Sequence, residues 1–221
     1  MSIEETRFIL NGALLKATPQ GIQIVATDGR RLALGSAQPS GGTAECTVVV
    51  PSKTTRELGR LLQEDDDEPV AIAPLRDNQL VFQFGAVTIL TRLIEGQFPS
   101  YESVIPAPSA SALTCSRAML MSAIRRASLM TTATSQAVVF ELAKERVVVS
   151  KESPELGSAR EEVAATYTGE PMTIAFNPEF WLDVLKVLDE DAVAIEISSP
   201  DKPAVIRQPN FLYLMLPMKL A

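Results

Sequence analysis

The sequence predicts an α+β fold in which one strand-rich unit occurs twice, and three observations carry that reading. The segments TVVVPSKTTRELGRLLQEDDDEPVAIAP and TIAFNPEFWLDVLKVLDEDAVAIEIS share one pattern: strand, proline near the turn, amphipathic helix, acidic loop, strand. Each continues into two more strands, and self-similarity on this scale is a fold-level signal. Short β-rich runs bounded by turn residues recur along the chain, as at Asp28-Gly29 and Asp77-Asn78. Between the copies lies Ile94–Ser109 (IEGQFPSYESVIPAPS), aperiodic and holding Pro99, Pro106 and Pro108. Proline fixes φ and lacks a donor, so this segment reads as an extended connector. The expected domains are 1–106 and 107–221, the first shortened at its start, the second with two helices and about eight strands.

The elements follow in order. Arg7–Ala17 reads as a strand, with a bulge or close backbone approach at Asn11-Gly12. Ile22–Ala26 and Arg31–Gly35 are hairpin arms around Asp28-Gly29, where the turn needs positive φ. Cys46–Val50 is a strand, and Pro51-Ser52 starts a helix with Thr54, Leu58, Leu61 and Leu62 on one face. Lys53, Arg56 and Arg60 make another face of it basic. Gln63–Glu68 reads as a solvated acidic loop, since contiguous carboxylates without a shaping glycine seldom converge on one metal ion. Strands follow at Val70–Ala73, Gln79–Phe84 and Val87–Leu93. The second unit starts with strand Ala112–Cys115. Ser116 then caps a helix Arg117–Met130 striped by Leu120, Ile124 and Leu129. Strands are expected at Ala137–Leu142, Arg146–Lys151, Gly157–Tyr167 and Met172–Phe176. Asn177-Pro178 starts a helix to Asp189 with Phe180, Trp181, Val184, Leu185 and Leu188 inward. Strands Ala192–Ile197, Ala204–Arg207 and Phe211–Leu220 close the chain.

Composition limits the chemistry. The 221 residues are 46% hydrophobic and 21% charged, enough apolar content for a packed core. With no histidine, Ser-His-Asp and Cys-His catalysis and most zinc sites are excluded. No Gly-rich phosphate loop or nucleophile motif points to an enzyme, and no cofactor or metal is expected. Cys46 and Cys115 stand alone, as small apolar residues of a reducing compartment do. The start MSIEETRF is acidic and no apolar run reaches ~20 residues, so a cytoplasmic location is expected. The net charge of −7 argues against wrapping nucleic acid with the whole surface but leaves room for a local basic face. The hairpin IVATDGRRLAL presents Thr27, Arg30, Arg31 and Leu32; it is either an ordinary solvated hairpin or a fixed edge that receives a partner's peptide.

Four segments, LNGALL with VATDGRRLAL, LIEGQFPSYESVIP, IAFNPEFWLDVL and the tail YLMLPMKL, occur in the order found in bacterial DNA sliding clamps. The chain resembles that family, the beta subunit of the replicative DNA polymerase, over its last two of three domains. The resemblance implies the DNA-clamp fold, with antiparallel sheets outside and helices on the inner face. It also implies a non-catalytic processivity factor, associated with the nucleoid, facing duplex DNA without reading sequence. Its partners would be polymerase, clamp-loader and repair proteins bearing a linear motif of Gln followed by Leu and aromatic residues, and itself or a full-length clamp. The peptide-binding residues carried over are Leu10, Thr27, Gly29, Arg30, Arg31, Leu32, Pro99, Val104, Asn177, Phe180, Leu214, Met215, Leu216, Pro217, Met218 and Lys219. The DNA-facing candidates are Lys53, Arg56, Arg60, Arg117, Arg125 and Arg126, and the oligomer-interface candidates are Ser128 and Leu129. Arg30 replaces a histidine common in the family, Phe180 a tyrosine, and Ala221 adds one residue at the end. With the first domain absent, half of the head-to-tail ring contact is missing, so the usual ring is not expected to close. The alternative role is a clamp relative that does not encircle DNA and instead sequesters peptides or co-assembles with a full-length clamp.

Overall fold

Gly12 fixes where the first sheet begins. A Cβ there would lie 2.6 Å from the Val50 carbonyl oxygen, so the backbones approach as only glycine permits. The structure is a computed structural model and describes residues 5–41, 45–62 and 69–219. It divides into two compact units, Met1–Glu102 with Pro209–Phe211, and Ser103–Gln208 with Leu212–Ala221.

In the first unit, β1 (Gly12–Thr18), β2 (Gly21–Thr27), β3 (Arg31–Ala37) and β4 (Cys46–Pro51) form an antiparallel sheet in the order β3-β2-β1-β4. Helix α1 (Ser52–Leu61) packs on β1 and β4. Strands β5 (Ala71–Leu75), β6 (Gln79–Phe84) and β7 (Val87–Arg92) form a second antiparallel sheet. The turn before β6 has positive φ at Asp77 (60°) and Asn78 (58°), the geometry that suits the twist of a tight hairpin. Leu15, Val50, Leu80, Phe82 and Leu93 join the two sheets in one core, with Leu58 of α1 against it. A hydroxyl pair, Thr54 Oγ1 with Thr91 Oγ1 at 2.7 Å, ties α1 to β7.

The second unit contains β8 (Ala112–Ser116), α2 (Arg117–Ser128), β9 (Val138–Ala143), β10 (Arg146–Ser153), β11 (Gly157–Tyr167), β12 (Met172–Phe176), α3 (Pro178–Lys186), β13 (Ala192–Glu196), β14 (Ala204–Gln208) and β15 (Phe211–Met215). Its strands run in the order β12-β9-β10-β11-β8-β13-β14-β15. The Ser116 hydroxyl accepts from the Met119 N–H at 3.4 Å, and Asn177 Oδ1 from the Glu179 N–H at 2.9 Å, so both helices carry the caps their sequences promise. Helices α2 and α3 pack on each other. Trp181 lies between Phe140 and Phe176, with all three ring centroids 5.4–5.6 Å apart. The second unit thus repeats the first, β4–α1–β5 corresponding to β12–α3–β13, and adds β8–α2 in front.

Four sequence expectations are corrected. The segment Glu5–Asn11 is a 3-10 helix and the strand starts only at Gly12, because a short apolar run has no periodicity that separates strand from helix. The last strand stops at Met215; Pro217 lacks the ladder donor, and Met218 makes a single bridge to Ala175. Helix α2 ends at Ser128, and Leu129 is 67% exposed at its C-cap, while Ala127 takes the buried position of the stripe. Helix α3 ends at Lys186, before the expected Asp189. The acidic loop Gln63–Glu68, Thr43 and the terminal Leu220-Ala221 lie outside the described residues.

Candidate functional site

The Thr27–Arg31 turn is built by Asp28. Gly29 takes φ 84°, the left-handed conformation that the Asp-Gly pair predicted. Asp28 Oδ1 accepts from the N–H groups of Arg30 (2.9 Å) and Arg31 (3.0 Å), and its Oδ2 pairs with Arg31 Nε at 3.0 Å. Thr27 Oγ1 donates to the Arg31 carbonyl at 2.7 Å and accepts from the Gly29 N–H at 3.1 Å. Burial pushes the Asp28 carboxyl up, but the two backbone N–H groups and the Arg31 guanidinium outweigh it and hold it below its ordinary value. Arg31 is therefore half-buried and oriented from its own turn, while Arg30 and Gly29 are exposed. The sequence singled out the arginines; it did not single out Asp28 as their organiser, although an Asp two residues before an arginine in a tight turn is an Asx-turn signal.

The remaining peptide-binding candidates divide by exposure. Leu10, Leu32, Asn177, Phe180, Leu214 and Met215 are buried, Met215 completely. Pro99 and Lys219 are exposed, as are Val104 (53%) and Leu216 (43%), with Pro217 and Met218 half-buried. In the second unit Asn177 is buried and its Oδ1 is committed to its helix, accepting from the Glu179 N–H. The Tyr213 hydroxyl donates to the Phe180 carbonyl at 3.0 Å and anchors β15 to α3; this tie has no sequence signal beyond the tyrosine itself.

The cationic candidates also separate. Lys53, Arg56 and Arg60 share the exposed side of α1, but Arg60 pairs with Glu57 at 2.5 Å and Arg56 Nε donates to the Ser52 carbonyl at 3.2 Å. On α2, Arg125 is exposed and Arg126 pairs with Glu161 at 2.6 Å. Arg117 donates to the carbonyls of Glu190 (2.8 Å) and Leu185 (3.0 Å), closing the end of α3. The Ser128 hydroxyl donates to the Arg125 carbonyl at 2.8 Å. Cys115 is buried and its thiol is pushed up to about 11; burial also raises the partly exposed Cys46. Among the described residues no group of three or more Cys, Asp or Glu is arranged to hold a metal ion, and no helix is long and apolar enough to cross a membrane.

Two family models match the chain: the DNA polymerase III beta subunit central domain over residues 1–100 and its C-terminal domain over residues 102–219. The chain belongs to the DNA polymerase III beta subunit family. The beta sliding clamp of Synechococcus elongatus is 32% identical across 98% of this chain and 60% of the relative. That of Caulobacter vibrioides is 31% identical across 100% of this chain and 61% of the relative. Among solved structures, the Bacillus subtilis DNA polymerase sliding clamp superposes with a TM-score of 0.91 at 31% identity, covering 100% of this chain and 60% of the clamp. The Bartonella birtlesii clamp, solved bound to griselimycin, gives 0.89 at 32% identity over 99% of this chain and 60% of the clamp. The α+β, mainly antiparallel clamp fold is thus the fold of this chain, which spans about three-fifths of the length of these beta subunit relatives.

Proposed function

We propose that this chain is a non-catalytic, sliding-clamp-type accessory subunit that docks linear peptide motifs of polymerase, clamp-loader and repair proteins and faces duplex DNA without reading its sequence. The Asp28-organised turn carries the reading, because it fixes Arg31 beside exposed Arg30 and Gly29 at the positions the family resemblance assigns to peptide binding. A loop already ordered by its own hydrogen bonds has little entropy left to lose when a peptide arrives. In the first unit, Arg30 and Arg31 supply donors for a glutamine side chain or peptide carbonyl and Pro99 supplies apolar area; the second unit, by itself, offers Asn177 and the apolar Val104, Leu216 and Met218. No bond is made or broken; such a subunit acts by raising the effective concentration of its partner.

For DNA, Lys53 and Arg56 of α1 and Arg125 of α2 are exposed cations suited to phosphate contact. Arg117, used by the end of α3, contributes to the fold instead. The function is tested by fluorescence anisotropy with a labelled peptide of the Gln-Leu-Xaa-Leu-Phe type. Saturable binding that weakens on Arg31→Ala is expected. A folded sample that gives no saturable binding overturns the proposal.

A further inference from the structure

The repeat places one device in both units. In the first, the Ile94 N–H donates to the Val49 carbonyl at 2.9 Å; in the second, the Met218 N–H donates to the Ala175 carbonyl at 2.7 Å. Val49 and Ala175 hold the same position in the repeated segments, two residues after Thr47 and Thr173. In each unit the chain after the last strand crosses the outer edge of the strand that precedes the helix, and makes one isolated bridge to it. Beside each bridge is a cleft, about 760 Å³ along β4 and about 580 Å³ along β12, with Thr47 in the first and Thr173 in the second.

Backbone groups of one residue in an antiparallel strand point to the same side, and alternate residues share that side. The Val49 carbonyl faces away from β1, so the N–H and C=O of Thr47 face away too, into the cleft along β4. A sheet edge that presents such groups is a template for an added strand. The floor of the cleft is apolar, with Val48, Ile94 and Phe98, while its rim carries Glu95 and Glu102 against a single Lys16.

We propose that the cleft along β4 is a second docking site, for an extended peptide that adds a strand at Thr47 and alternates apolar with basic side chains. The period of a strand sends alternate side chains to opposite faces, the apolar ones to the floor and the basic ones to the acidic rim. The site rests on the proposed peptide-docking function through the repeat and through Pro99, which both would use, and it lies wholly within the first unit.

The test uses the full chain and the fluorescein-labelled hexapeptide Lys-Val-Lys-Val-Lys-Val, with Glu-Val-Glu-Val-Glu-Val as the counter-probe. Saturable binding of the first only is expected, weakened about tenfold or more when both Glu95→Lys and Glu102→Lys are introduced. Amide resonances of Thr47 and Ser100 should move in a titration of labelled protein. The Gln-Leu-Xaa-Leu-Phe-type peptide, titrated into the same samples, should bind the double variant as it binds the wild type, which separates failure of this site from failure of the main function. Equal binding of the two hexapeptides, no effect of the double variant, no saturable binding, or shifts at Thr173 in place of Thr47 would each overturn the assignment.

Discussion

Helices α1 and α3 are the same element of the repeat, yet they sit differently in their units. In α3, Phe180, Trp181, Val184 and Leu185 are buried; in α1, Thr54 is the one buried residue. The correspondence is specific: Phe180 matches Thr54, Val184 matches Leu58, and Leu185 matches Gly59. Leu185 is fully enclosed, whereas a Cβ at Gly59 would meet nothing within 4 Å. In the second unit α2 packs on α3, and among the described residues the first unit has no helix in that role. The amphipathic stripe is therefore a shared pattern whose depth of burial depends on the neighbour that covers it.

The largest expected effect breaks this comparison directly. Trp181→Ala should cost about 3–5 kcal/mol in chemical denaturation, since a large ring leaves a cavity among Phe140 and Phe176. Leu58→Ala, on the half-buried side of α1, should cost clearly less; equal losses would mean that α1 is as deeply packed as α3.

Asp28→Ala comes next. It removes two backbone hydrogen bonds and an ion pair from the hairpin turn, for about 1–2 kcal/mol of local stability. The pH sign follows from the depressed carboxyl. The contribution is present in full above the ordinary value of 3.8 and is lost as pH falls through the lower folded value. Protection of the Arg30 and Arg31 amides, with exchange corrected for its intrinsic pH dependence, should therefore hold at pH 5 and fall in stronger acid. An Asp28→Ala variant should show fast exchange at both.

The smallest effect has the opposite sign. Gly59→Ala should stabilise the first unit by about 0.5–1 kcal/mol, because alanine is the better helix former and the space beside it is open. A loss of stability in thermal unfolding would show that this side of α1 is closely covered.

Much of the fold was legible because turn and cap chemistry is local. Gly29, the Asp77-Asn78 turn, Ser116 and Asn177 fall where their side chains and φ preferences put them, and β6, β11 and β12 match residue for residue. What failed was decided by burial or by competition for one group. The apolar run before Gly12 gave no period, and Leu129 fell just past the helix end, where its side chain points to solvent. Charge alone did not distinguish Arg125, exposed, from Arg117, taken up by the carbonyls of Glu190 and Leu185. The arginines of the hairpin were visible in the sequence, and the carboxylate that orients Arg31 was hidden in the turn signal itself.

The proposed peptide docking centres on the Asp28-organised turn of the first unit. Hydrogen–deuterium exchange with and without a Gln-Leu-Xaa-Leu-Phe-type peptide tests it most directly. Saturating peptide is expected to slow exchange at Thr27–Leu32. Binding that leaves Thr27–Leu32 unchanged, or protects only regions elsewhere, would contradict it.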